Sequence, residues 1–186
     1  MSGLVPGPAA LLFALLLAGC ASAPQVYNLS PAAVAARMAR GNISVDVPTV
    51  APPLDNDLVV VRESEDRFAY LPGVRWADRL TYLVQSRTIE TFQNAGMLSR
   101  LRGPGEPSAA SLALAIRHFD IDATRRVARV EIAAQIVTAS GQVVSAKMFS
   151  ASEPVGEIKA PEALEALDLA FRRILPQLVA WAARTG

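Results

Sequence analysis

Cysteine, histidine and lysine are nearly missing from this 186-residue chain, which has one Cys, one His and only Lys147 and Lys159 beside its arginines. A single cysteine, Cys20, cannot staple a secreted fold, because disulfide frameworks need an even set. The fold must therefore hold by its core. A single histidine, His118, excludes a His-rich metal site and a second imidazole. No Gly-x-Ser-x-Gly elbow is present to present a nucleophile, and Gly103-Pro104-Gly105 is a turn rather than a phosphate cradle. The formal net charge of +1 lacks the basic bias of a nucleic-acid binder. No internal repeat or low-complexity segment interrupts the chain.

The apolar run at residues 9–18 is also short. As a helix it would extend about 15 Å, against a hydrocarbon core of about 30 Å. That length suits the hydrophobic region of a signal peptide, and Leu17-Ala18-Gly19-Cys20 follows it directly. Residues 1–19 therefore read as a lipoprotein signal peptide, with Cys20 as the lipidation site. No Lys or Arg precedes Cys20, so the start amine is the only positive charge of the leader. Cleavage would leave residues 20–186, enough for one domain with a real core. One acyl chain anchors marginally, whereas the diacylglyceryl and N-acyl chains of this motif type anchor stably. Ala21 is not Asp, which leans the sorting toward the outer membrane, facing the periplasm.

After the lipidated residue, 20–40 read as a tether with an edge strand at 26–29 and a loose linker at 32–40. Residues 43–47 alternate and stop at Pro48, as a strand does. Short strands are expected at 58–61 and 67–71. A helix is expected from Trp76 to Ala95, with Leu80, Leu83, Val84 and Phe92 on its apolar stripe and Gly96 as its stop. The clearest β signal is 127–137, where Ala128, Val130, Ile132, Ala134 and Ile136 alternate with Arg129, Glu131 and Gln135. A strand at 112–119 precedes it. After Ser140-Gly141 another follows at 142–150, with Val144, Ala146 and Met148 continuing the even phase, so the three form an antiparallel meander. Pro161 opens a closing helix to about Ala183, and Pro176 inside it predicts a kink or break. The expected fold class is α/β (α+β). It is a two-layer sandwich of a mixed, mostly antiparallel sheet with two main helices on one face, forming one domain over 41–186.

Catalytic candidates are few. His118, Asp120 and Asp122 alternate and would share one side of a strand. They read either as a His/carboxylate metal site or, more plainly, as a polar strand end neutralised by Arg125 and Arg126. The segment from Tyr70 to Leu80 carries more promise as a partner-binding surface, because Trp, Tyr and Arg are favoured interface anchors. Tyr70, Arg75 and Trp76 are the candidate contacts. The alternative is that Trp76 and Tyr70 plug the end of the core while Asp78 stabilises the helix start.

At this segment the chain resembles the ABC-type transport auxiliary lipoproteins, a family that includes the lipoprotein of the paraquat-inducible system. The resemblance runs from the lipobox through Tyr27-Asn28-Leu29, 43–47 and Pro52-Pro53-Leu54-Asp55. It continues through Leu58-Val59-Val60-Val61-Arg62, Tyr70, Arg75-Trp76-Ala77-Asp78-Arg79-Leu80 and Gly141-Gln142-Val143-Val144 to the late helix near Trp181. Thr81-Tyr82 departs from the usual aliphatic pair. The family implies a non-catalytic accessory of a transporter built from an ATPase, a permease and a periplasmic MCE-domain protein. Such systems move phospholipids or other hydrophobic molecules across the bacterial envelope. The resemblance carries over no catalytic residue, no metal and no cofactor beyond the lipid on Cys20. Two other readings stand beside it: a stand-alone envelope lipoprotein acting as an assembly or secretion chaperone, and an enzyme working through His118.

Overall fold

A computed structural model describes residues 23–34, 42–103 and 106–185. The signal peptide, Cys20 and most of the 32–40 linker lie outside these residues.

The sheet is organised by one long strand. Strand β1 (Gln25–Tyr27) is followed by β2 (Ile43–Val45), β3 (Thr49–Val50), β4 (Val60–Arg62), β5 (Phe68–Tyr70), β6 (Val74–Trp76) and β7 (Leu101–Arg102). The meander is β8 (Ala110–Asp122), β9 (Val127–Thr138) and β10 (Val143–Pro154). Helix α1 (Leu80–Asn94) lies between β6 and β7, and α2 (Glu162–Thr185) closes the chain. One edge of β8 pairs antiparallel with β9 along its length. Its other edge is taken in turn by three short parallel strands: β2 at Ala110–Leu112, β3 at Ala115–Ile116 and β4 at Asp120–Asp122. Pro48, Pro52 and Pro53 interrupt this second edge, since proline lacks the N–H a continuous ladder needs. A separate two-stranded pair joins β1 to β6 in parallel.

Helix α2 packs on β8, β9 and β10, while α1 leans on α2 and reaches the sheet at β2. The expected two-layer α+β class is therefore what the chain adopts. Its centre is aromatic: Phe119 stands edge-on to Trp76 at 5.9 Å and to Phe171 at 5.7 Å, and Phe149 meets Trp181 at 5.6 Å. Each fully buried side chain of this kind contributes roughly 1.5–3 kcal/mol. The even residues 128–136 of β9 are all buried on this face, as their alternation required.

Two bulges change the phase of the neighbouring strands. In β8 an extra residue between Ile116 and His118 shifts the register. Leu112, Leu114 and Ile116 face the core before it, and Phe119 and Ile121 face the core after it. In β10 the even phase expected from the sequence is inverted. Val143 pairs with Val137 but Ser145 pairs with Ile136, so the bulge between them turns the odd residues inward. Phe149, paired with Ile132, is buried, whereas Val144 and Met148 are exposed.

Three further differences have local causes. Trp76 closes β6 and α1 begins only at Leu80, because Trp76 N–H is held by Asp57 O at 2.7 Å and the strand pairs with β1. Helix α2 runs through Pro176 without a break, its apolar stripe held against the sheet on both sides of the proline. The segment before residue 34 is pinned, not loose. Ser30 N–H donates to Asp168 Oδ1 at 2.7 Å, Ala32 N–H donates to Thr91 Oγ1 at 3.1 Å, and Leu29 is buried.

Candidate functional site

The Tyr70–Leu80 segment forms a corner latched to the loop at Asp55–Asp57. Gly73, at φ +74°, makes the turn between β5 and β6, a backbone conformation that glycine adopts without strain. Asn56 is the hub. Its Nδ2 donates to Pro53 O at 2.8 Å and to the Tyr70 hydroxyl at 3.3 Å, its Oδ1 accepts from Leu58 N–H, and its carbonyl accepts from Leu80 N–H. Arg79 pairs with Asp55 at 2.7 Å and Arg75 with Asp57 at 3.5 Å, both at the surface. Asp78 accepts the N–H of Arg79 just ahead of α1.

The three candidate contacts part here. Tyr70 is 44 % exposed and Arg75 is about half exposed. Trp76 is 1 % exposed and packs on Phe119, so its ring plugs the core and offers nothing to a partner. The spacing of this segment is thus accounted for by the latch, in which the Tyr70 hydroxyl accepts from Asn56 and Arg75 and Arg79 face Asp57 and Asp55.

His118, Asp120 and Asp122 do share one side of β8, on the sheet face away from the helices. Asp120 is 1 % exposed and is held by two guanidiniums. Arg129, directly across on β9, donates to it through Nε at 3.3 Å and Nη2 at 3.2 Å, and Arg62 on β4 reaches it at 3.5 Å. Two guanidiniums against one carboxylate leave one surplus positive charge. Burial and the neighbouring Arg129 hold His118 below its ordinary value, so its imidazole is neutral at pH 7. Asp122 instead accepts the N–H of Arg125 in the turn to β9. Among the described residues, no group of three His, Cys, Asp or Glu side chains stands where it could share a metal ion.

Beside this cluster the open face of the sheet is hollow. Across four strands Thr49, Ala115, Ala133 and Met148 form one row. Two alanines in its middle leave a floor with little side chain above it. A recess of about 490 Å³ lies between the Pro52-Pro53 loop, Phe68 and the Arg62–His118 end of the sheet. A second of about 320 Å³ continues from Thr49 and Ala115 toward Val47, Ala113 and Gln135. Arg62 lies over the Phe68 ring at 4.5 Å, a cation–π contact. Sequence reasoning assigned no role to Arg62, Phe68 or this floor. The available signal was alanine at 113, 115 and 133, where a wet strand face ordinarily carries longer polar side chains.

The fold is shared with solved proteins. Protein XCC0632 of Xanthomonas campestris superposes with a TM-score of 0.76 at 20 % identity, covering 86 % of this chain and 95 % of that one. A second crystal structure aligns with a TM-score of 0.65 at 13 % identity, covering 87 % and 99 %. By sequence, the Bradyrhizobium diazoefficiens protein bll6063 is 30 % identical over 158 residues, which is 83 % of this chain. The chain spans 42 % of that relative's length. Residues 27–179 match the model of the ABC-type transport auxiliary lipoprotein component, and the chain belongs to that family. By its description, the family comprises auxiliary lipoprotein components of ABC-type transport.

Proposed function

We propose that this protein is the non-catalytic, lipid-anchored accessory of an ABC system whose periplasmic component carries MCE domains. It holds its domain at the outer membrane, facing the periplasm, and docks the MCE protein. The system, with its permease and ATPase, moves phospholipids or other hydrophobic molecules across the envelope. The family match over 27–179 carries this reading. The pinned N-terminal segment supports it: Gln25 N–H is bound to Gly73 O at 2.8 Å, and the stretch from Cys20 to Gln25 spans at most about 17 Å. A lipid on Cys20 therefore keeps the β1–β6 end of the domain close to the bilayer. Tyr70 and Arg75 lie on β5 and β6 near that end and are the surface residues assigned to the partner.

Genetics tests the reading. Deleting this gene, the MCE gene or both should give one and the same envelope-permeability defect. An additive defect in the double deletion would place the two proteins in separate pathways and remove the proposal.

A further inference from the structure

The two recesses on the open sheet face share Thr49 and Ala115 and so form one trough. From Ala113 to Asp120 along β8 it runs about 23 Å, at about 3.3 Å per residue. Its floor is Ala113 and Ala115 on β8 and Ala133 on β9. Val47, 46 % exposed, and Phe68, 38 % exposed, add apolar surface to its rim. The volumes fall within the roughly 300–1,000 Å³ of ligand sites. One end of the trough is cationic, and Asp46 lines the other.

The charged end has spare capacity. Arg62 and Arg129 exceed Asp120 by one positive charge, and the remaining cation there, Arg117, is matched by Glu131 at 2.9 Å. Arg62 Nε is buried without a hydrogen-bond partner, although buried polar groups are ordinarily paired, and His118 Nδ1 lies beside it at 3.5 Å from Asp120 Oδ2. One surplus charge and an unused guanidinium nitrogen match a monoanion. A phosphate monoester carries about −1.5 to −2 and would be left under-neutralised.

We propose that this trough binds a long-chain carboxylate, its hydrocarbon along the alanine floor and its carboxylate at Arg62 and His118. The inference goes beyond the docking role and stands without it, since it concerns a ligand of the domain itself.

The test uses the purified full-length chain in phosphatidylcholine nanodiscs, with a diazirine analogue of palmitic acid added and irradiated. Labelled peptides should map to 110–122 and 127–138. Filling the floor with Ala133→Trp should cut labelling at least tenfold, and Arg62→Gln should cut it several-fold. A control substitution on the helix side, Leu169→Trp, should leave it unchanged. The matching fatty alcohol should label several-fold less than the acid. Should Ala133→Trp fail to fold, the acid–alcohol ratio and Arg62→Gln decide the matter. Equal labelling by acid and alcohol overturns the proposal, as does labelling scattered over the surface or insensitive to Arg62→Gln. A photoreactive residue at 133 that captures only protein would also overturn it, because the trough would then be a protein interface.

Discussion

Replacing Asp120 by Ala removes the carboxylate that organises the charged end of the sheet. Asp120 is 1 % exposed, and its arginines retain only 24 % exposure at Arg129 and 21 % at Arg62. Hydrogen bonds to charged groups contribute about 1.5–3 kcal/mol each, and breaking a buried ion pair by removing one partner costs about 3–5 kcal/mol. The guanidiniums can turn partly to water, which places the loss near the low end, about 3 kcal/mol. For a domain of this size that is a fall in Tm of roughly 6–12 °C. Urea unfolding of the detergent-solubilised protein, followed by tryptophan fluorescence, measures it, with Trp76 beside Phe119 as a reporter of the same region. The double variant Asp120→Leu with Arg129→Leu should lose at least about 1 kcal/mol less than the two single changes together, because it leaves one fewer unpaired charge. A loss under about 1 kcal/mol for Asp120→Ala, or strict additivity in the cycle, would show that the cluster is a solvated surface pair and that its charge count is wrong.

Other expectations follow from the same geometry. The folded protein holds His118 neutral below its ordinary value of 6.5. The unfolded chain therefore takes up the proton first, and stability falls as pH drops through about 6.5; His118→Gln should flatten that part of the stability-versus-pH curve, and an unchanged curve would contradict the buried, neutral imidazole. Phe149→Ala should cost about 3–5 kcal/mol, whereas Met148→Ala next to it should cost little; reversed values in thermal melts would contradict the inverted phase of β10. Trp76→Ala should destabilise by about 3–5 kcal/mol, while Tyr70→Ala with Arg75→Glu, which loosens only exposed contacts, should weaken partner capture at a far smaller fall in Tm, an outcome checked by pairing melts with pull-downs. Thr91→Val leaves the buried Ala32 N–H without its acceptor and should cost about 1–3 kcal/mol, visible as faster hydrogen exchange in residues 29–33.

The α+β class and the meander were legible because β9 alternates without interruption and α2 carries a continuous apolar stripe. What escaped was parity. A bulge adds one residue to one strand, and no residue type at Val143–Ser145 or Ile116–His118 announces it, yet it decides which face every later side chain occupies. The pinned segment was missed for a related reason: Ser30 and Ala32 are held through backbone N–H groups by Asp168 and Thr91, partners far along the chain. The latch explains why Asp55, Tyr70, Arg75 and Arg79 mark the family resemblance, and why Trp76, the most conspicuous residue there, belongs to the core. His118 and Asp120 were recognised as sharing a side. The chain's second cation at that site, Arg62, arrives on a different strand and carries no local signal.

The most direct measurement of the central claim is co-purification. The tagged chain, extracted from its native envelope in mild detergent, should recover an MCE-domain protein in near-stoichiometric amount. Some permease and ATPase should follow, and recovery should fall with Tyr70→Ala and Arg75→Glu. Extracts in which a control lipoprotein recovers its own partners while this chain recovers no transporter component would contradict the account.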